Sequence, residues 1–474
     1  MRCRHWKNRP ATTTTVDMHN QIKARSRREI PAVNKVLDAL GHYDLPRPLV
    51  VDLVRRELSR LRAKTEIPEF RSIVDLVRRS LAELRASRLR SVINGTGIVI
   101  HTNLGRAPLP PEAIRALSET GSTYSNLEYD LGTSERGGRG TYIEKAFALL
   151  CETESATVVN NCAAALVLIV RHFTGDKTEI IISRGELIQI GGGFRIGEII
   201  QAAGAKLREV GATNKTTLND YAKAIGPNTA LILKVHRSNF FMSGFVESTP
   251  SAAIGALARK KRVPFVEDLG SGAFVATERM GIAEHEPTPA EALKDGADLV
   301  CFSGDKLFGG PQAGIITGKA RCIAALKREP LFRALRCDKL IFAALQATVD
   351  LHLNQSTSEI PAIALLQFSE DELRARATAI ASRLENLSAK VAIGSGTVKV
   401  GGGTLPKSTM PSVTIDIVPT NCSLADLAAR LRNARPPVIG YIANARFKLD
   451  LRTIFRQQDD SVVDAVRAAC AKTR

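Results

Sequence analysis

Five short apolar runs, Ala156–Val159, Glu179–Ile182, Ala230–Val235, Val263–Val266 and Leu299–Phe302, recur along the chain with helix-length segments between them. Strands of this kind are buried on both faces, and the segment joining two parallel neighbours must cross back over the sheet, usually as a helix. The spacing therefore predicts an α/β domain built on a mainly parallel sheet. Ligands in such sheets collect at the carboxyl ends of the strands, so the residues just after each run are the candidates for chemistry.

Three of those ends stand out. After Leu299–Phe302 comes Ser303-Gly304-Asp305-Lys306-Leu307-Phe308-Gly309-Gly310, which fixes one lysine in a glycine-rich turn. An amine held there, partly desolvated, is suited to forming a Schiff base, and Ser303 is within reach of a cofactor phosphate. After Val263–Val266 comes Glu267-Asp268-Leu269-Gly270, whose Asp268 can pair with a pyridine nitrogen and keep it protonated. After Ala156–Val159 the chain enters a helix through Asn160-Asn161-Cys162-Ala163, where exposed amides and the helix dipole favour a phosphate, although Asn160 also suits a plain N-cap. Together the three match the order and spacing of fold-type-I pyridoxal 5'-phosphate enzymes.

Charge and periodicity divide the rest. Residues 1–90 hold 21 Lys and Arg against 10 Asp and Glu, about +11 of the whole chain's +18. Residues 1–24 carry no sustained period and read as a disordered basic tail. Over 25–90 Val50, Leu53, Val54, Leu58 and Leu61, then Ile73, Val77, Leu81 and Leu84, recur at three- and four-residue steps, with arginines opposite. That pattern predicts an N-terminal helical domain with an RNA-facing surface, which the resemblance described below narrows to tRNA. Residues 91–350 are expected to form the catalytic domain. A small C-terminal α+β domain is expected over 351–474, with a helix over Glu370 to Leu387, a glycine-rich turn over Gly394 to Gly403 and a strand over Ser412–Ile417. The eight cysteines show no C-x-x-C pair and read as reduced thiols, mostly buried, so no metal site is expected. No run approaches the length of a membrane span and no secretory signal is visible, which makes the cytoplasm the expected location.

The chain from about Glu29 onward resembles the bacterial L-seryl-tRNA(Sec) selenium transferases. The likeness is carried by Ile93-Asn94-Gly95-Thr96-Gly97, His101-Thr102-Asn103-Leu104-Gly105-Arg106-Ala107-Pro108-Leu109, Tyr124 to Asp130, Arg184 to Leu187, Gly211 to Thr216, Lys234 to Phe240, the turn around Lys306, and Arg333 to Leu340. It implies that Lys306 holds pyridoxal 5'-phosphate as a Schiff base, with Asp268 on the ring nitrogen and Asn161, Cys162 and Ala163 on the phosphate. It further implies that Arg106, Arg333 and Arg336 bind selenophosphate. Without it, Arg333 and Arg336 would read as solvent-facing on a helix. His236, at a strand end, is a candidate cofactor contact or a structural histidine.

The activity implied is conversion of L-seryl-tRNA(Sec) to L-selenocysteinyl-tRNA(Sec) through an aldimine and an aminoacrylyl-tRNA intermediate. The partners implied are serylated tRNA(Sec), selenophosphate and further copies of the chain, in rings of dimers that include a decamer. Cys162 stands where the family pattern leads one to expect a third asparagine, and Gly132 to Gly140 also departs from it. Two other readings stay open. One is a pyridoxal lyase acting on a free amino acid or amino sugar, which would have no use for the arginines of residues 25–90. The other is a catalytically silent RNA-binding protein on the same scaffold.

Overall fold

The computed structural model describes residues 29–64 and 66–471, so the basic tail expected over 1–24 lies outside the described residues. The described residues divide into two compact units, one up to residue 91 and one from residue 92.

In the first unit α1 (Val33–Leu40), α2 (Arg47–Arg62) and α3 (Phe70–Ala86) bury one apolar core. Val50, Leu53, Val54, Leu58 and Leu61 of α2 meet Ile73, Val77 and Leu81 of α3, the same residues whose steps mark one face in the sequence. Each fully buried aliphatic side chain here contributes about 2 kcal/mol. The opposite faces are exposed and partly neutralised, since Arg56 pairs with Asp52, Arg78 with Asp75 and Arg85 with Asp44. Arg55, Arg62 and Arg79 are exposed and have no ion pair among the described residues.

The second unit is organised by a seven-stranded sheet: β1 (Ser155–Val159), β2 (Glu179–Ser183), β3 (Lys206–Val210), β4 (Thr229–Val235), β5 (Phe265–Gly270), β6 (Leu299–Ser303) and β7 (Gly314–Gly318). The spatial order is β1-β7-β6-β5-β4-β2-β3, parallel throughout except for β7, which runs antiparallel to both neighbours. Alternate residues enter two separate cores. Ile181, Ile232, Val300, Phe302 and Ile315 face one side, and Ile180, Ile182, Leu231, Leu233, Val266, Leu299 and Ile316 face the other. Helix α4 (Cys162–Phe173) covers the second face through Ala165, Leu166 and Ile169. The first is covered in part by α5 (Lys339–Leu353), through Phe342, Leu345 and Val349.

Three expectations need correction. The run starting at Val263 enters the sheet only at Phe265, and the strand continues to Gly270, so Asp268 lies inside β5 rather than after it. Pro264 has no N–H to donate to a ladder, which explains the late start. The helix at Glu370 ends at Ser382, short of Leu387. The glycines from Gly394 do not make a long turn. They lie in a strand, Ala389–Gly401, that pairs antiparallel with Thr404–Pro419, and only Gly401, Gly402 and Gly403 turn the chain, with φ of 79, 65 and 73°. Gly394 and Gly396 occur there because a Cβ would overlap the carboxylates of Asp416 and Asp450.

The strand Ile98–Ile100 joins this C-terminal sheet, pairing parallel with Ala389–Gly401, and α5 runs across the expected boundary at 350. The segment that carries Arg106 thus leaves directly from the smaller sheet.

Candidate active site

The carboxyl ends of β1, β4, β5 and β6 open into one cavity of about 650 Å³. Asn161, Cys162, Ala163, His236, Asp268, Ser303, Lys306 and Arg106 all line it, so eight of the ten residues singled out in the sequence are brought together. Lys306 is fixed by its turn. Gly304 N–H donates to the Ala313 carbonyl at 2.9 Å, Gly309 N–H to Lys306 O at 3.0 Å and Leu307 N–H to Ser271 O at 3.0 Å.

Gly270, with φ of 68°, lies between the two chemical groups. A Cβ there would lie 3.5 Å from Lys306 Nζ, 3.8 Å from Ser238 Oγ and 4.0 Å from Asp268 Oδ1. The missing side chain leaves the backbone open to the cavity between an amine, a hydroxyl and a carboxylate, groups that suit the substituents and nitrogen of a pyridine ring. Burial pushes the Asp268 carboxyl above its usual range, against the opposing effect of the Lys306 charge. A protonated ring nitrogen would add a charged donor to this carboxylate.

Elsewhere in the cavity wall, Asn161 caps α4 by accepting from Ala164 N–H at 2.8 Å. Asn161, not Asn160, is therefore the cap, while Asn160 N–H donates to Leu335 O at 2.9 Å. The amides of Cys162 and Ala163 have no preceding turn to donate to, and these two residues line the cavity, which suits a phosphate. Ser303 lies nearby and is buried. The residues present fit pyridoxal phosphate on each of these counts.

His236 has a structural tie as well as a place in the cavity: its N–H donates to Asp268 O at 2.8 Å, and Nε2 lies 3.2 Å from Glu286 Oε1. Arg106, in the left-handed region at φ 64°, reaches Asp305 at 2.6 Å. The second Asp305 oxygen is buried without a partner. Asp305, Gly270 and Ser238 were not singled out from sequence, although Asp305 adjoins Lys306 and Ser238 belongs to the Lys234 to Phe240 motif. Cys162, Asp268 and Cys301 bring two sulfurs and a carboxylate oxygen within 4.8 Å of one another.

Arg333 and Arg336 lie elsewhere. They line a second pocket of about 510 Å³ with Arg139, Lys327 and Phe332, and it shares no residue with the first. The helix Pro330–Ala334 ends before Arg336, so the two arginines are not on one helical face. Arg333 is exposed, but Arg336 is half-buried, 3.4 Å from Glu128 Oε1, and its Nε is buried without a partner. Arg139 also reaches Glu128, at 2.7 Å, and holds that carboxyl below its usual range.

A lysine and a carboxylate on neighbouring strand ends of a mostly parallel sheet, with a capped helix N-terminus at the same cavity, define a pyridoxal 5'-phosphate-dependent enzyme of fold type I. The same fold is found in D-glucosaminate-6-phosphate ammonia-lyase, with a TM-score of 0.58 at 19% identity over 82% of this chain and 97% of that one. Residues 92–455 match the family model described as L-seryl-tRNA selenium transferase. The L-seryl-tRNA(Sec) selenium transferase of Carboxydothermus hydrogenoformans is 42% identical, covering 91% of this chain and 95% of its own. That of Geobacter sulfurreducens is also 42% identical, covering 92% and 98%. The chain belongs to the L-seryl-tRNA selenium transferase family.

Proposed function

We propose that this chain converts L-seryl-tRNA(Sec) to L-selenocysteinyl-tRNA(Sec), with selenophosphate as the donor, in the cytoplasm and as a homo-oligomer. The observation that carries the reading is the family match across residues 92–455 combined with the convergence of Lys306 and Asp268 on one cavity. Among the described residues no helix is long and apolar enough to cross a membrane.

Pyridoxal phosphate, when bound, supplies the electron sink that makes the seryl α-proton acidic. Lys306, Asp268, Ser303 and the amides of Cys162 and Ala163 would hold it. The Asp268 carboxylate keeps the proton on the ring nitrogen. Lys306 Nζ, poised in its turn over Gly270, takes the α-proton of the seryl group. The arginines then have a task that a lysine would do less well, because a selenophosphate dianion needs forked donors. Arg106 is at the cavity. Arg333 and Arg336 line a different pocket of the same chain, and a second copy that brought them to the cavity would give them a share in donor binding, which ties this assignment to the homo-oligomer.

The N-terminal helices, with Arg55, Arg62 and Arg79 exposed, would hold the tRNA body. Competition binding tests the substrate assignment. Serylated tRNA(Sec) should displace a labelled copy of itself at far lower concentration than bulk seryl-tRNA. Equal competition by both would contradict the reading, and failure to bind either would favour a lyase acting on a small substrate.

A further inference from the structure

The carboxylate assigned to the ring nitrogen is backed by two thiols. Cys301 of β6 pairs in register with Asp268 of β5, so their side chains leave the sheet side by side on one face. Cys162, the first residue of α4, lies over that face with its Sγ 3.4 Å from Asp268 Oδ1. The two sulfurs and a carboxylate oxygen lie within 4.8 Å of one another. Cys301 is fully buried and Asp268 is 8% exposed, so water supplies little of the hydrogen bonding the carboxylate needs.

We infer that Cys162 and Cys301 are positioning residues: their thiols orient the Asp268 carboxylate and favour its charged form against burial, leaving its free lone pairs for the ring nitrogen of the cofactor. The inference rests on the cofactor site proposed above. A carboxylate this buried gains a proton unless donors or positive charge hold it ionised, and a protonated Asp268 could not keep the ring nitrogen protonated. An S–H is a weak donor. It steers the carboxylate without drawing off the acceptor strength that the ring N–H needs, as a guanidinium would. Cys301 is in the donating state, because the hydrogen bond with Cys162, burial and the Asp268 charge hold its thiol well above the ordinary thiol range. Cys301 therefore differs from a buried cysteine that only fills space. The same three atoms form a ligand set that a soft divalent cation would accept, but such a cation would compete with the ring for Asp268.

The test uses the full-length chain titrated with pyridoxal phosphate and, separately, with an analogue carrying carbon in place of the ring nitrogen. Cys301→Ala should weaken pyridoxal phosphate binding about tenfold, roughly 1.4 kcal/mol, within the range of one net hydrogen bond. It should also move the visible absorption band, while leaving affinity for the analogue unchanged. Cys301→Ser should restore most of the loss. Cys162→Ala, at a partly exposed site, should show the same selectivity even if the buried variant folds poorly. Equal weakening for cofactor and analogue would reduce the thiols to packing and overturn the inference, as would unchanged affinity for both. Stoichiometric zinc in the purified holoprotein would overturn it in favour of a metal site. Failure of the wild-type chain to bind either compound would overturn the cofactor site itself.

Discussion

Lys306 and Asp268 approach the cavity from different strands and have separable duties, which single substitutions can divide. Lys306→Ala should abolish covalent attachment of the cofactor. Borohydride reduction followed by peptide mapping should place the label on the Ser303 to Gly314 peptide in the wild type and nowhere in the variant; a label on any other lysine would refute the assignment. Asp268→Asn keeps the shape but loses the charge that holds the ring nitrogen protonated. Cofactor should still bind, while α-proton exchange slows by about a hundredfold or more, the loss of a preorganised electrostatic contact. Exchange at the wild-type rate would mean that another group holds the ring. Lys306 was legible in the sequence because a lone lysine in a glycine-rich turn after an apolar strand has few structural uses. Cys301 was not, because inside an apolar run a cysteine reads as core, and only register shows that its neighbour is a carboxylate. Arg333 and Arg336 were singled out through family likeness alone, since their spacing suggests a helix that in fact ends at Ala334, and they line a pocket separate from the cavity.

Among the elements, legibility followed burial. β1, β2, β4 and β6 are flanked on both faces, so their runs are continuously apolar and visible. Edge strand β3 carries Lys206, Arg208 and Glu209, all exposed, and gives no apolar signal. β7 is bounded by Gly314 and Gly318, whose missing side chains admit the Asn161 and Asp298 backbones, and it looks like loop. The Gly394 to Gly403 segment was misread for the opposite reason, because its first glycines serve packing rather than turning.

One element makes a prediction about acid. His352 of α5 is buried, stacks on Phe308 with centroids 4.8 Å apart, and bonds the Phe308 carbonyl at 2.9 Å, in the turn that carries Lys306. Burial pushes its pKa down to about 4, against 6.5 for the free side chain. The unfolded chain therefore takes up a proton that the folded chain refuses. Stability from this site is complete above about pH 6.5, is lost as pH falls toward 4, and does not change further below that. The loss is of order 3 kcal/mol. Melting temperature across that range should fall for the wild type and fall less for His352→Gln. Identical pH profiles would show that other groups govern acid unfolding.

For the whole molecule, the division at residue 91 separates the arginine-bearing helices from the cavity. Each unit has its own apolar core, so a chain lacking residues 1–90 should stay folded and bind cofactor. Its affinity for serylated tRNA(Sec) should drop steeply and lose most of its salt dependence, because counterion release scales with the phosphates the arginines neutralise. Sedimentation of the same sample separates this from a role in assembly, which would change particle mass and leave the salt slope in place. The most direct measurement, however, is of the reaction. Purified full-length protein is incubated with pyridoxal phosphate, selenophosphate and tRNA(Sec) charged with labelled serine, and the amino acid is then released from the tRNA and separated. The account predicts that the label moves from serine to selenocysteine, with no conversion by Lys306→Ala. Label remaining in serine under conditions where the protein binds cofactor and tRNA would contradict it.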